Sequence, residues 1–167
     1  MLAPLARASS SEVNHAAQLA SCPLFHGFTE TGLQILGSIA RERAVRAGET
    51  IFAEDAPADS MFVVVTGSVA IRASGAEGRE RTLAMLGPGE AFGELALLTP
   101  GGRRLVGAVA QEDARLLEIV QRDFARLQTQ KPQACLKLIL NVAGAFGRKM
   151  SDNRALLRSL LLAAVPR

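Results

Sequence analysis

The chain has 167 residues, enough for one domain with a core of its own; 49% are apolar and 21% charged, which excludes a disordered chain. There is no Trp and no Tyr and only seven Phe, which argues against stacking platforms for single-stranded nucleic acid, and two Cys and two His exclude a disulfide framework or a four-Cys zinc site. A net charge of +3 permits an anionic ligand without demanding DNA or a membrane surface.

Residues 1–18 read as a flexible polar lead, with a short helix possible from Glu12 to about Ala20. Leu19-Ala20-Ser21-Cys22 imitates a lipoprotein cleavage box, but the polar stretch Ser11 to Gln18 lacks an export core. No run reaches the ~18 apolar residues of a spanning helix. The expected compartment is the cytoplasm, with Cys22 and Cys135 reduced. His15 and His26 read as surface or packing residues.

Thr29 is placed to cap a second helix carrying Leu33, Leu36 and Ile39 on one face and ending in the charged Arg41-Glu42-Arg43. From Ala44 to Val120 apolar runs shorten and turn signals recur. Strands are predicted over Thr50–Ala53, Met61–Val65, Val69–Arg72, Thr82–Leu86, Leu105–Ala110 and Ala114–Val120. Gly75 and Gly78 flank a polar turn. Short strands at close spacing predict an antiparallel sandwich or barrel, not a parallel α/β sheet.

Beyond Val120 the pattern is helical. Gln121 to about Gln130 places Phe124 and Leu127 on one face. Pro132 suits the first turn of a new helix, predicted to run unbroken to near Leu162. Leu136, Ile139, Ala143, Phe146, Met150, Asn153, Leu157 and Leu160 step alternately by three and four, a heptad seam interrupted by Asn153. The first half of that seam is expected to pack on the chain's own domain and the second half on another subunit, giving a homodimer.

The densest signal is Gly87-Pro88-Gly89-Glu90-Ala91-Phe92-Gly93-Glu94-Leu95-Ala96-Leu97-Leu98, followed by Thr99-Pro100-Gly101-Gly102-Arg103-Arg104. A Gly-rich turn leads into a very short helix near Glu94, whose first backbone N–H groups lack internal acceptors and attract a phosphate. Gly93 allows close approach, and Arg103 or Arg104 can complete the cradle with a planar fork of donors. Glu94 would repel a phosphate, so a sugar hydroxyl is its natural partner. The same residues also fit a plain helical turn with buried leucines and solvated charges. No nucleophile–base pair or metal set accompanies Glu90 and Glu94, so no enzyme, metal or cofactor is expected.

Phe92-Gly93-Glu94-Leu95-Ala96-Leu97 with a downstream Arg resembles the phosphate-binding cassette of the cyclic nucleotide-binding domain family, which includes the catabolite activator protein and the regulatory subunits of cyclic-AMP-dependent protein kinase. Leu24-Phe25-His26-Gly27-Phe28, Gly48-Glu49-Thr50-Ile51-Phe52, Phe62 to Val69, Asp123-Phe124 and Pro132 extend the likeness over roughly Leu19 to Leu160. The resemblance implies a mainly β fold with flanking helices: an eight-stranded antiparallel jelly-roll β-barrel, N-terminal helices and a long C-terminal helix. It implies a lead over 1–18, a nucleotide-binding β-roll over 19–131 and a lid and dimerisation helix over 132–167. Gly93, Leu95 and Ala96 would offer N–H groups to a cyclic phosphate, and Glu94 would hold the ribose 2′-hydroxyl. Arg104 is favoured over Arg103 as the phosphate partner, and Leu83 and Ala84 would line the base region. Lys149, Met150 or Ser151 would close over the base. Cyclic AMP is the first expected ligand and cyclic GMP the second.

Two departures stand out. Leu105 occupies the place of the small or hydroxyl residue that the family carries after the phosphate Arg. A charge-assisted hydrogen bond lost there is worth about 1.5–3 kcal/mol. Only seven residues follow Leu160, where the family's transcription regulators continue into a helix-turn-helix. The expectation is therefore a ligand module that signals through a protein partner, without DNA or membrane contact. The alternative is a ligand-free adaptor with a degenerate pocket.

Overall fold

The structure, a computed structural model, describes residues 10–75 and 79–164. Part of the expected lead, residues 1–9, and the tip of the Gly75–Gly78 turn lie outside the described residues.

The helices open and close the chain. α1 (Ser10–Ala20) covers the second half of the expected lead and buries His15, Ala16 and Leu19. His15 Nδ1 lies 3.3 Å from the Gly37 carbonyl, a packing role. α2 (Glu30–Gly37) starts where Thr29 Oγ1 accepts from the Gly32 N–H at 3.1 Å, as its N-cap character predicts. It stops before Arg41-Glu42-Arg43. That charged stretch, expected at the end of the helix, instead lies in strand β1 (Ala40–Val45). The backbone hydrogen bonds of β1 go to the last strand, with Ala40 opposite Ile119 and Val45 opposite Ala114, so charged side chains project while both ends of the strand are buried.

The remaining strands are β2 (Thr50–Phe52), β3 (Ser60–Thr66), β4 (Val69–Ser74), β5 (Glu80–Leu86), β6 (Ala91–Phe92), β7 (Gly107–Ala110) and β8 (Ala114–Val120). All pair antiparallel, in two sheets of order β1-β8-β3-β6 and β2-β7-β4-β5. This corrects the expected closed barrel: among the described residues no ladder joins one sheet to the other. One edge of each sheet is short: β6 has two residues, and β2 has three with a register shift.

β3 explains why an apolar run replaces alternation. Met61 and Val63 face the helices, whereas Phe62 and Val64 face the second sheet, so both faces are buried. β8 divides in the same way, with Leu117 and Ile119 on the helical side and Ala114 and Leu116 between the sheets.

α3 (Gln121–Gln130) buries Phe124 and Leu127 as expected. α4 (Pro132–Asp152) begins at the expected proline but ends earlier than predicted, and α5 (Arg154–Ala164) follows. The break is Asn153, whose N–H and Nδ2 both reach the Lys149 carbonyl, at 3.2 and 2.8 Å. Asn153 ends the regular ladder as a C-cap, with its backbone at φ −102° and ψ 19°, and its side chain adds a second donor to that carbonyl. The Asn153 carbonyl then accepts from Leu157 N–H and starts α5.

The seam is also displaced from its expected role. α4 docks on the domain through Cys135, Leu138 and Val142, and of the seam's first half only Ile139 packs on that core. Leu136 and Phe146 remain 55% and 42% exposed. Asn141 adds a polar anchor, donating from Nδ2 to the carbonyls of Leu24 and His26 at 2.7 and 3.2 Å.

Candidate functional site

The site grows from the end of β6. Phe92 is buried, its ring 5.2 Å from Phe62 and 5.9 Å from Phe52, so three aromatic rings form a floor between the sheets. The chain then turns at Gly93, φ +71°, into a 3-10 turn, Glu94–Leu97. A side chain at Gly93 meets two obstacles. Left-handed backbone disfavours it, and its Cβ would lie 2.6 Å from Arg104 Nη1 and 3.1 Å from the Ser60 carbonyl. Ala96 and Leu97 are buried, and Leu97 joins the core shared with α3 and α4. The cassette is thus fixed by packing at one end and left open at the other.

The two candidate arginines separate cleanly. Arg103 forms an isolated bridge with Pro57, and the Arg104 backbone exchanges hydrogen bonds with Asp55 and Ala56, each 2.8 Å. In extended chain, neighbouring side chains point to opposite faces. Arg103 points outward and pairs with Asp55 through two bonds of 2.6 and 3.1 Å. That partner holds the Asp55 carboxyl below its usual range. Arg104 points inward and is 6% exposed.

Arg104 Nη2 donates to the Ser60 carbonyl at 2.7 Å and Nη1 to the Gly93 carbonyl at 3.3 Å. Its guanidinium carbon sits 4.0 Å from the centroid of the Phe52 ring. Burial lowers its pKa, opposed by the negative field of Asp59, Glu118 and Glu94. Asp59 Oδ1 is 3.6 Å from Nη2 but is itself mostly exposed. Arg104 Nε is buried with no partner among the described residues. A buried cation with an unspent donor, beside a glycine that heads a short turn, is an arrangement suited to an anion.

Glu94 is largely buried and faces α4, where Lys149 Nζ lies 3.9 Å from Oε1. Of the three expected lid residues, Lys149 reaches the cassette, Met150 is half-buried and Ser151 is exposed. The expectation that Ala96 offers its N–H to a ligand needs correction, because that N–H donates to the Gly93 carbonyl at 3.1 Å and closes the turn. Glu94 and Leu95, first in the turn, have no acceptor within it. Leu83 and Ala84 lie on the exposed β5. The register passes from Ala84 opposite Ile71 to Thr82 opposite Arg72, which leaves Leu83 unpaired at a bulge, 59% exposed. Leu105 is 78% exposed.

Phe52, Asp59, Ser60 and Asn141 were not among the residues picked from sequence. Phe52 ends β2, Asp59 immediately precedes β3 and Ser60 begins it, all 44 or more positions before Arg104, and no local pattern marks them.

Residues 42–131 match the family described as cyclic nucleotide-binding domain. The chain belongs to that family. It is 37% identical over 130 residues to the cyclic AMP receptor protein of Thermus thermophilus, an alignment covering 78% of this chain and 58% of that relative. The crystal structure of the Thermus thermophilus catabolite activator protein matches with a TM-score of 0.73 at 33% identity, over 83% of this chain and 62% of that one. The N-terminal domain of a transcriptional regulator from Streptomyces coelicolor matches with a TM-score of 0.70 at 30% identity, over 80% of this chain and 95% of that one. As a cyclic nucleotide-binding domain, the chain thus spans a little over half the length of the Thermus receptor. Its fold is mainly β with flanking helices, and none of its described helices is long and apolar enough to cross a membrane.

Proposed function

We propose that this protein is a cyclic-nucleotide sensor, with cyclic AMP the preferred ligand and cyclic GMP the second. The observation that carries the reading is Arg104, a buried guanidinium with an unpartnered Nε set against Gly93 at the head of the Glu94–Leu97 turn. In this reading the phosphate takes the free donors of Arg104 and the N–H groups of Gly93 and Leu95. Glu94 accepts from the ribose 2′-hydroxyl, because an ionised carboxylate only accepts. Leu83 and Ala84 border the base, and Met150 and Ser151 approach it from α4. The protein binds its ligand without chemistry, and no metal or cofactor takes part.

The output runs through protein contacts. Leu136 and Leu140, one turn apart, present an exposed apolar patch on α4 away from the docked face, and a second copy of this chain is its proposed occupant. Leu156, Leu160 and Leu161 on α5 are the proposed contact for a downstream partner. Leu105 favours one competing reading, an adaptor whose phosphate pocket has degenerated, since it supplies no hydroxyl beside Arg104. A thermal-shift panel with cyclic AMP, cyclic GMP and cyclic di-GMP separates the two. The sensor predicts a rise in melting temperature with a cyclic mononucleotide; the adaptor predicts none with any nucleotide.

A further inference from the structure

The Glu94 carboxylate already has a partner in this structure, and that partner belongs to the lid. Lys149 Nζ stands 3.9 Å from Glu94 Oε1, and among the described residues no other cation approaches that carboxylate within salt-bridge range. The cassette and α4 are held independently of this pair: Leu97 is seated in the core that Leu138 and Val142 enter from α4. The Glu94 side chain is only 19% exposed, whereas that of Lys149 is 71% exposed. The movable member is therefore the lysine side chain, not the helix or the cassette.

Resting on the cyclic-nucleotide reading, we infer that Lys149 competes with the ligand's 2′-hydroxyl for Glu94 and so sets how strongly the protein discriminates a ribose from a deoxyribose. A sugar hydroxyl offers Glu94 a neutral donor inside the pocket. Lys149 offers a cationic donor from its rim that remains well hydrated when released. Binding a ribonucleotide displaces the ammonium into water. Binding a 2′-deoxy nucleotide leaves the Lys149–Glu94 pair in place, because such a ligand asks nothing of Glu94. Lys149 thereby weakens the ribonucleotide selectively and acts on Glu94 rather than on the base.

The test is calorimetric titration of the full chain and of its Lys149→Met variant with cyclic AMP and with 2′-deoxy cyclic AMP. Methionine keeps the length of the side chain without its charge. The variant is expected to bind cyclic AMP about two- to fivefold more tightly, the range of one exposed ion pair, and 2′-deoxy cyclic AMP unchanged. The gain should shrink in 1 M salt, which screens exposed charges. Weaker binding of cyclic AMP, or an equal change for both ligands, overturns the competition and leaves the sensor reading standing. No binding of either ligand to either protein overturns the sensor reading and the inference with it.

Discussion

Gly93 and Arg104 are fitted to each other so closely that a Cβ on Gly93 would come within 2.6 Å of Arg104 Nη1. The glycine is required twice, by its φ of +71° and by the guanidinium behind it. Gly93→Ala is expected to cost at least the ~1–2 kcal/mol of a left-handed non-glycine residue and to push Arg104 off the Gly93 carbonyl. Urea unfolding checks the first effect and nucleotide titration the second. A variant as stable as the parent would contradict the close packing.

Arg104 serves the fold as well as the site. Arg104→Ala would strip donors from the Ser60 and Gly93 carbonyls, at about 1–3 kcal/mol for a buried acceptor left unpaired, and would remove the cation over Phe52. Lower stability is the expected result by denaturant titration. Arg104→Gln, which keeps an N–H donor, should unfold closer to the parent.

Asn141 joins α4 to the segment before α2 by bonds to the Leu24 and His26 carbonyls. Asn141→Leu leaves both acceptors without that donor and should destabilise the chain by about 1–3 kcal/mol. Hydrogen exchange should also quicken along α4. An unchanged unfolding midpoint would show that α4 is held by its apolar face alone.

Both cysteines are buried thiols with no disulfide. Burial pushes Cys22 up to about 11, helped by the nearby negative charges of Glu94 and Glu90, and burial also raises Cys135. A raised thiol pKa favours the protonated folded state. Its stabilising effect is complete below the ordinary thiol value of 9.0 and is lost as pH climbs through about 11. The unfolding midpoint should therefore fall over that window, more steeply in the parent than in Cys22→Ala. A thiol reagent at neutral pH should label neither cysteine until the protein unfolds.

Much of the fold was legible because β3 and β8 carry enough apolar residues to cover two faces, and because Thr29, Pro132, Phe124 and Leu127 act through local rules of capping and periodicity. β1 was hidden by its own composition. Arg41, Glu42 and Arg43 look like a helix end, and only pairing with β8 makes them a strand. β6 has two residues and no period to detect. Asn153 was visible as a polar interruption of the seam, but the spacing does not reveal that its backbone leaves the helical region and ends α4. The cassette could be read from Gly93 and Glu94 because turn chemistry is local. The choice of Arg104 over Arg103 became physical only when pairing with Asp55 and Ala56 fixed which side chain faces inward.

The exposed pair Leu136 and Leu140 leads to a prediction about assembly. Leu136→Glu with Leu140→Glu touches no residue of the docked face and should leave the fold intact while converting a dimer to a monomer in sedimentation velocity. A parent chain that sediments as a monomer at all concentrations would remove the proposed second copy.

Isothermal titration of cyclic AMP into the full chain and into its Arg104→Gln variant probes the guanidinium grip itself. Saturable binding of one nucleotide per chain in the parent, weakened at least about tenfold in the variant by loss of a charge-assisted contact of about 1.5–3 kcal/mol, is the predicted result. Absence of binding heat in the parent, or equal affinity in a folded variant, would contradict it.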